Sequence, residues 1–357
     1  MSDDVLLTVD NVVKHFPVQS GSILRRSREK VHAVDGVSFE IKRGETLGLV
    51  GETGCGKSTL ARCVARLVDL TSGSVVFDGR DISTLKPRQM RPLRREMQMI
   101  FQDPYGSLNP RRRVGSIIGD PLAIHGEADG AERKRRVQEA MELVGLNPEH
   151  YNRFPSEFSG GQRQRIGVAR ALVLRPKLVV CDEPVSALDV SIQAQIINLL
   201  ADLQDLLNLT YIFIAHDLSI VRHVSDRVGV MYLGKIVELS PVEDFYQRAL
   251  HPYAHALLSA VPIPDPDRTA ERERIILVGD VPSPIRVPSG CRFHPRCPKA
   301  QPLCIRDEPA LAVPAGDRPD HEVACHFPVG PDEDLSKARP TIQASERVIE
   351  PNAIGSP

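Results

Sequence analysis

Long apolar runs, a signal peptide and a sizeable net charge are all absent from this sequence. No run approaches the roughly 18 to 20 apolar residues that span a bilayer, and the first residues (MSDDVLL) lack the basic and apolar regions of a signal peptide. We therefore expect a cytosolic or peripheral protein. The formal net charge is −1, so the electrostatic footprint of a dedicated nucleic-acid binder is missing as well.

Disulfide bonds are not expected either. The chain has seven cysteines among 357 residues, and in the expected compartment thiols stay reduced or bind metal. Cys55, Cys63 and Cys181 fall in or beside apolar segments, and we interpret them as small core fillers. The length allows one large domain with an appendage. The other four cysteines lie in that appendage and need a separate explanation.

A glycine-rich loop, GETGCGKST at residues 51–59, lies between the apolar stretch TLGLV and an apolar, helix-forming run. Strand, loop and helix in this order are the context that a phosphate-binding loop, or P-loop, requires. Lys57 is expected to reach the β- and γ-phosphates, and the Ser58 hydroxyl to bind Mg²⁺. Backbone N–H groups can close around phosphate oxygens at the helix start because of three glycines, namely Gly51, Gly54 and Gly56. The loop therefore predicts a nucleotide triphosphate site.

Polar side chains follow three other apolar stretches, MQMIF, LVVC and YIFIA. They are expected at the carboxyl edge of an α/β sheet, where ligands bind. After LVVC, Asp182 suits the Mg²⁺ ligand shell, and Glu183 suits a general base that takes a proton from the attacking water. Gln102 can direct its amide at the metal or the water, and His216 can donate to the γ-phosphate. An ordinary strand terminus and a surface histidine are the alternatives.

A second helix start in FSGGQRQRIGVARAL can also bind anions. Ser159 is a good N-cap, and Gly160 and Gly161 expose backbone N–H groups at the positive end of the helix. An inserted helical region separates this start from the P-loop, so the two ends are poorly placed to grip one nucleotide within one chain. Phe16, in the KHFP segment, can stack on a base or merely cover a sheet edge.

Taken together and in this order, GETGCGKST, Gln102, FSGGQ, LVVCDEP, SALD and His216 resemble the ATP-binding subunits of ABC transporters. The resemblance covers residues 5 to about 262. It implies an α/β P-loop ABC ATPase core, with a mixed sheet, a β-rich edge and an inserted α-helical subdomain at about residues 103–175. Phe16 stands where the family usually has tyrosine, and Phe158 replaces the commoner leucine before SGGQ.

The resemblance also gives roles to individual residues. Those implied to bind nucleotide are Phe16, Gly51, Gly54, Gly56, Lys57, Ser58, Thr59, Asp182, Ser159, Gly160, Gly161, Gln162 and Asp189. Those implied to act in hydrolysis are Glu183 as the catalytic base, Gln102 as the Q-loop residue and His216 as the switch histidine. The expected Mg²⁺ ligands are Ser58, Gln102 and Asp182.

Partners follow from the same resemblance. It implies a head-to-tail dimer with a second ABC ATPase subunit, identical or different, in which SGGQ of one subunit covers the ATP of the other. Asp189 would lie at that interface. FQDPYGSLNPR and HPY resemble the oligopeptide and dipeptide importer branch. Its ATPases energise import of peptides, or of a small solute such as nickel, through two membrane permease subunits supplied by an extracytoplasmic solute-binding protein.

Two expectations about place and partner go with that branch. The chain is expected at the cytoplasmic face of the cell membrane, with the loop around residues 105–110 towards the permease. The alternative is a soluble ABC ATPase that acts on nucleic acid or in translation. Such proteins usually carry two cassettes or long coiled coils, and this chain has one cassette and no heptads. No nucleic-acid partner is therefore expected.

A C-terminal extension at residues 263–330 follows the ATPase domain of residues 1–262. Its four cysteines favour metal ligation over disulfides, and they are Cys291, Cys297, Cys304 and Cys325. Four thiolates suit zinc or a 4Fe-4S cluster. The spacing lacks the paired cysteines of zinc ribbons, and similar tails in the importer branch hold a 4Fe-4S cluster. We predict that cluster, with zinc and unliganded thiols as alternatives, and a disordered tail at residues 331–357.

Overall fold

The computed structural model describes residues 4–18, 29–103, 106–261, 275–331, 333–338, 340 and 342. The strands are β1 (Val5–Pro17), β2 (Lys30–Lys42), β3 (Thr46–Val50), β4 (Ser72–Phe77), β5 (Arg80–Asp81), β6 (Met97–Ile100), β7 (Leu178–Asp182), β8 (Thr210–Ile214), β9 (Arg227–Tyr232), β10 (Lys235–Pro241) and β11 (Glu322–Val323). The helices are α1 (Lys57–Val64), α2 (Pro87–Arg94), α3 (Val114–His125), α4 (Gly130–Leu143), α5 (Gly160–Leu172), α6 (Val190–Leu207), α7 (Leu218–Val224), α8 (Val242–Gln247), α9 (Pro252–Ser259) and α10 (Pro302–Arg306).

The larger sheet has the strand order β11-β10-β9-β3-β8-β7-β6. Strands β9, β3, β8, β7 and β6 run parallel to one another. Strand β10 is antiparallel to both of its neighbours, β9 and β11. Every residue of β3, β7 and β8 is buried. Parallel strands covered on both faces need uninterrupted apolar sequence, which is what these stretches contain. Their carboxyl ends lie side by side at one edge.

The smaller sheet is antiparallel, with the order β2-β1-β4-β5. It covers one face of the larger sheet, and α1 lies between the two. Leu47 of β3, Leu60 and Val64 of α1, and Val75 of β4 belong to one buried cluster. This mixed α/β core with a β-rich edge confirms the predicted fold class.

Helices cover the opposite face of the larger sheet. Successive strand residues point to opposite faces, so Val180 joins the cluster beneath α1 whereas Val179 joins a second cluster with Ile166 of α5 and Leu200 of α6. Helices α3, α4 and α5 pack on one another and lie inside the range expected for the inserted helical subdomain. No helix in the described ranges is both long and apolar enough to cross a bilayer.

The C-terminal extension packs on the ATPase core. Strand β11 pairs with β10, and Phe293 places its ring 5.2 Å from that of Tyr232 and 5.4 Å from that of Tyr253. The proposed division into domains stays a prediction. Residues 262–274, at the boundary between the two predicted domains, and most of the tail predicted to be disordered lie outside the described residues.

Candidate functional site

The P-loop connects the end of β3 to the start of α1, as its sequence predicts. Gly51 and Gly56 have φ of 145° and 111°. A Cβ at Gly51 would lie 2.2 Å from Met231 O, and one at Gly56 would lie 2.1 Å from Ala33 O. Both positions therefore require glycine for space and for backbone conformation. Gly54 has φ of 82° with open space around it, so conformation alone favours glycine there.

Lys57 lies inside this loop, with 5% of its surface exposed. Its ammonium donates to the carbonyl oxygens of Gly51 at 2.7 Å and Glu52 at 3.1 Å. The positive charge is thus fixed within the ring of backbone groups that would surround a phosphate. Ser58 and Thr59 follow in the first turn of α1.

A hydroxyl and a carboxylate meet beside the loop. Ser58 Oγ donates to Asp182 Oδ1 at 2.6 Å, and Asp182 is buried at the end of β7. Arg62 of α1 places its guanidinium 3.8 Å from the other carboxylate oxygen. Oxygen donors of this kind suit Mg²⁺, so the residues present fit the ion that an NTP site requires. Arg62 was not among the predicted site residues. Its position one helical turn after Ser58 could have indicated that it lies near the metal site.

Three polar side chains converge next to this pair. Gln102 Nε2 donates to Glu183 Oε2 at 2.9 Å, and His216 Nδ1 lies 3.6 Å from the same oxygen. Strands β6, β7 and β8 are neighbours in the sheet, so the residues just beyond their carboxyl ends come together. Glu183 has φ of 48°, an uncommon conformation for a residue with a side chain. Its backbone N–H donates to Ile214 O, which holds the turn that carries the carboxylate.

The SGGQ segment forms a capped helix start. Ser159 Oγ accepts from the Gln162 N–H, and the Ser159 N–H donates to Gln162 Oε1. This reciprocal capping box orders the first turn of α5. A Cβ at Gly161 would lie 2.5 Å from Ile192 Cγ2, so this glycine allows close packing of α5 on α6. In the described part of the chain, the hydrogen bonds assigned to residues 159–162 do not reach the P-loop.

Two further predicted residues lie at the margins. Asp189 is exposed just before α6, where its carbonyl oxygen accepts from the N–H groups of Ile192 and Gln193. Phe16 lies near the end of β1 with 37% of its surface exposed, and Lys14 Nζ lies 4.8 Å from the ring centroid. An accessible aromatic face of this kind can stack on a base.

Glu52 has partners that were not predicted from the sequence. This P-loop residue pairs with Arg296 of the extension, and its backbone N–H donates to the Tyr253 hydroxyl at 2.8 Å. The signal was a lone carboxylate in an anion-binding loop, which needs a nearby cation. More than two hundred residues separate the pair, so the cation cannot be chosen from sequence spacing.

Comparison with known proteins places two family models on the chain. The ABC transporter model matches residues 34–186, and the model of the oligopeptide/dipeptide transporter C-terminal region matches residues 237–304. The oligopeptide transport ATP-binding protein AppF of Bacillus subtilis (strain 168) is 53% identical over 327 residues, covering 91% of this chain and 98% of that protein. The probable peptide ABC transporter ATP-binding protein y4tS of Sinorhizobium fredii is 51% identical and covers 90% of each chain.

Solved structures agree with these relatives. The dimeric ATP-binding cassette MJ0796, in a post-hydrolysis state bound to ADP and Pi, has a TM-score of 0.59 at 27% identity. The match covers 66% of this chain and 99% of that one. The protein cbiO1 of Clostridium perfringens, part of the ABC transporter complex cbiONQ, gives a TM-score of 0.58 at 28% identity, covering 68% and 90%.

The prediction of a 4Fe-4S cluster is wrong. The matching families and relatives are described as ATP-binding transport proteins, with no cluster. Among the described residues, the set of three side chains whose ligand atoms lie within 4.8 Å of one another is His15, His32 and Asp35, and it contains no cysteine. No preformed tetrahedral zinc set is found there either.

The four cysteines of the extension line a small shared cavity, with Cys297 and Cys304 buried and Cys291 and Cys325 half-buried. Burial raises the pKa of Cys291 to about 11 and that of Cys325 to about 12. Burial therefore favours the neutral thiol over the thiolate at these two positions. The closeness of the four cysteines in the sequence correctly indicated that they lie together, but it did not show that they bind a metal.

Proposed function

This chain belongs to the family of oligopeptide ABC transporter ATP-binding subunits, and from that premise we propose that it hydrolyses ATP to drive peptide import through separate membrane permeases. The carried solute is a di- or oligopeptide, or a related small solute such as nickel. The observation that carries the proposal is the meeting of Gln102, Glu183 and His216 beside the Ser58–Asp182 pair. The rival reading, a soluble ABC ATPase acting on nucleic acid or in translation, is disfavoured by the relatives.

Each side chain then has a distinct part in hydrolysis. Lys57 binds the β- and γ-phosphate oxygens, and the P-loop N–H groups hold the phosphates in line. Ser58, Gln102 and Asp182 would hold Mg²⁺. When bound, the ion neutralises charge on the phosphate oxygens.

Glu183 is the general base of the proposed mechanism. It takes a proton from the attacking water, while Gln102 orients its carboxylate through the 2.9 Å hydrogen bond. His216 lies 3.6 Å from that carboxylate, and it donates to the γ-phosphate. Phe16 stacks on the adenine ring.

The complete site needs a second ATPase subunit. The capped start of α5 offers backbone N–H groups at a helix N-terminus, yet its assigned hydrogen bonds do not join the P-loop of the same chain. We infer a head-to-tail dimer in which Ser159, Gly160, Gly161 and Gln162 of one subunit cover the nucleotide of the other. Exposed Asp189 lies at that interface.

A groove next to Gln102 suits the permease. It has a volume of about 560 Å³. Its lining is largely apolar, with Leu67, Met99 and Phe101, and carries two arginines, Arg94 and Arg170, against one carboxylate, Asp103. Leu67 and Phe101 are 49% and 40% exposed. We assign the groove to a short cytoplasmic segment of a permease that carries apolar side chains and a carboxylate. Movement there reaches Glu183 directly through Gln102.

The proposed assembly contains two permeases, two ATPase subunits at the cytoplasmic face of the membrane, and an extracytoplasmic solute-binding protein. The test is peptide uptake into proteoliposomes that contain the complex purified through a tag on this chain. We expect uptake to require ATP and to stop when Glu183→Gln replaces the wild type. Co-purification with ribosomes or DNA in place of permeases would contradict the transport function.

A further inference from the structure

The C-terminal extension grips the P-loop through one ion pair. Arg296 Nη1 and Nη2 donate to the two carboxylate oxygens of Glu52 at 2.8 and 3.0 Å. Arg296 is 9% exposed, and the Glu52 side chain 28%. A two-bond contact between a planar guanidinium and a carboxylate fixes orientation as well as distance. The extension therefore sets the position of a residue inside the phosphate-binding loop.

Glu52 is also held at both of its backbone polar groups. Its N–H donates to the hydroxyl of Tyr253 in α9, and its carbonyl oxygen accepts from Lys57 Nζ. The residue that Arg296 orients is thus bonded directly to the lysine expected to bind phosphate. A change at Arg296 reaches Lys57 through a single residue.

A second arginine of the extension, Arg292, is connected to the P-loop through intermediate residues. Arg292 is 8% exposed, pairs with Asp35 of β2 and donates to Leu233 O. The backbone N–H of Asp35 donates to Gly234 O, and the Gly234 N–H donates to Cys55 O of the P-loop. Two arginines of the extension are thus connected to the loop, Arg296 directly and Arg292 through Asp35 and Gly234.

The Arg296–Glu52 pair also changes the charge of the phosphate-binding loop. The Glu52 carboxylate is a negative charge within a loop that must hold the negative phosphates, and like charges at close range repel. Arg296 neutralises that carboxylate and directs it at the extension. An unpaired Glu52 would oppose phosphate binding.

We propose that Arg296 is a positioning residue for ATP binding: it neutralises the Glu52 carboxylate and holds that charge away from the phosphate site, so the C-terminal extension is a working part of the nucleotide site. This inference rests on the proposed ATPase function. It concerns binding of ATP, and it leaves the general base and the metal ligands unchanged.

The test compares two substitutions that break the same ion pair from opposite sides. The full-length chain is titrated with a fluorescent ATP analogue and Mg²⁺, and kcat and KM for ATP are measured in parallel. Arg296→Met should raise Kd and KM at least about tenfold with little change in kcat, because Glu52 is left unpaired. Glu52→Gln should not weaken binding, since it removes the repelling charge. The double variant Glu52→Gln with Arg296→Met should bind close to the wild type.

A purely structural ion pair gives a different pattern. Equal weakening by Arg296→Met and Glu52→Gln would overturn the proposal, as would unchanged ATP binding in a folded Arg296→Met variant. Arg318→Met is the matched control, because Arg318 of the extension pairs with Asp244 away from the P-loop. If Arg296→Met does not fold, Arg296→Gln takes its place in the comparison, and weaker binding by Glu52→Gln still overturns the proposal. Absence of ATP turnover in the wild type would instead reject the proposed function.

Discussion

The amide of Gln102 donates to Glu183 Oε2 at 2.9 Å although 81 residues separate the two in sequence. The inserted helical subdomain follows Gln102 in the chain, and Glu183 directly follows Asp182, the last residue of β7. One hydrogen bond therefore connects the start of this subdomain to the proposed general base. In the proposed mechanism, movement of the subdomain or of the neighbouring groove reaches Glu183 through Gln102.

The Ser58–Asp182 pair predicts Mg²⁺-dependent turnover. Asp182→Asn should lower ATP hydrolysis about 100-fold or more, because an amide oxygen is a poorer ligand for a hard cation than a carboxylate. Turnover measured against Mg²⁺ concentration checks this. Asp202→Asn, on the exposed face of α6, should leave the Mg²⁺ curve unchanged. An Asp182→Asn variant with the wild-type curve would remove this residue from the metal site.

Phe16 predicts an aromatic requirement for nucleotide binding. Phe16→Ala should weaken ATP binding about tenfold, because stacking of a base on an aromatic ring contributes roughly 1–3 kcal/mol. Phe16→Tyr keeps the ring and should bind as well as the wild type. Affinities for ATP and for triphosphate alone, measured by calorimetry, separate the base from the phosphates. Equal loss for both ligands would show that Phe16 only covers the sheet edge.

The α5 helix start predicts a nucleotide-dependent dimer. In the Glu183→Gln background, ATP should convert the chain, alone or with a second ATPase subunit, into a dimer that is visible by light scattering. Gly160→Asp should prevent this, because a carboxylate would face the partner's γ-phosphate. Ser159→Ala should cost about 1 kcal/mol of stability through loss of the cap. Dimers that form equally well in the Gly160→Asp variant would place the interface elsewhere.

His251 predicts a pH dependence of stability. Burial lowers its pKa from 6.5 to about 3, and its neutral Nδ1 accepts from the Tyr253 N–H. In the unfolded chain His251 is protonated below about pH 6.5, whereas in the folded chain it stays neutral down to about pH 3. The free energy of unfolding therefore falls as pH falls from about 6.5 towards 3.

At pH 5 this loss relative to pH 8 is on the order of 2 kcal/mol. Urea unfolding of the wild type and of His251→Asn at both pH values isolates the contribution, because asparagine can cap the helix without titrating. An equal pH dependence in both proteins would show that another group is responsible.

Local chemistry explains which parts of the fold and site the sequence predicted. The strand Thr46–Val50, the P-loop and the capped start of α5 depend on neighbouring residues, and all three are found where the sequence places them. The meeting of Gln102, Glu183 and His216 followed from a general property of parallel sheets.

Contacts across long sequence separations were not predictable in the same way. The Arg296–Glu52 pair and the pairing of β11 with β10 depend on how the extension docks, and no periodic pattern encodes that docking. The cysteines show the opposite error. Four thiols in one extension, and the resemblance to importer tails, suggested metal ligands, whereas the structure packs Cys297 and Cys304 as buried thiols and Cys291 and Cys325 as half-buried ones.

The most direct test of the account is ATP turnover by Glu183→Gln, with nucleotide binding measured on the same sample. The glutamine keeps the shape of the side chain and removes the base, so turnover should fall at least about 100-fold while ATP stays bound with wild-type affinity. Hydrolysis at the wild-type rate would contradict the assignment of Glu183, and with it the proposed arrangement of the site.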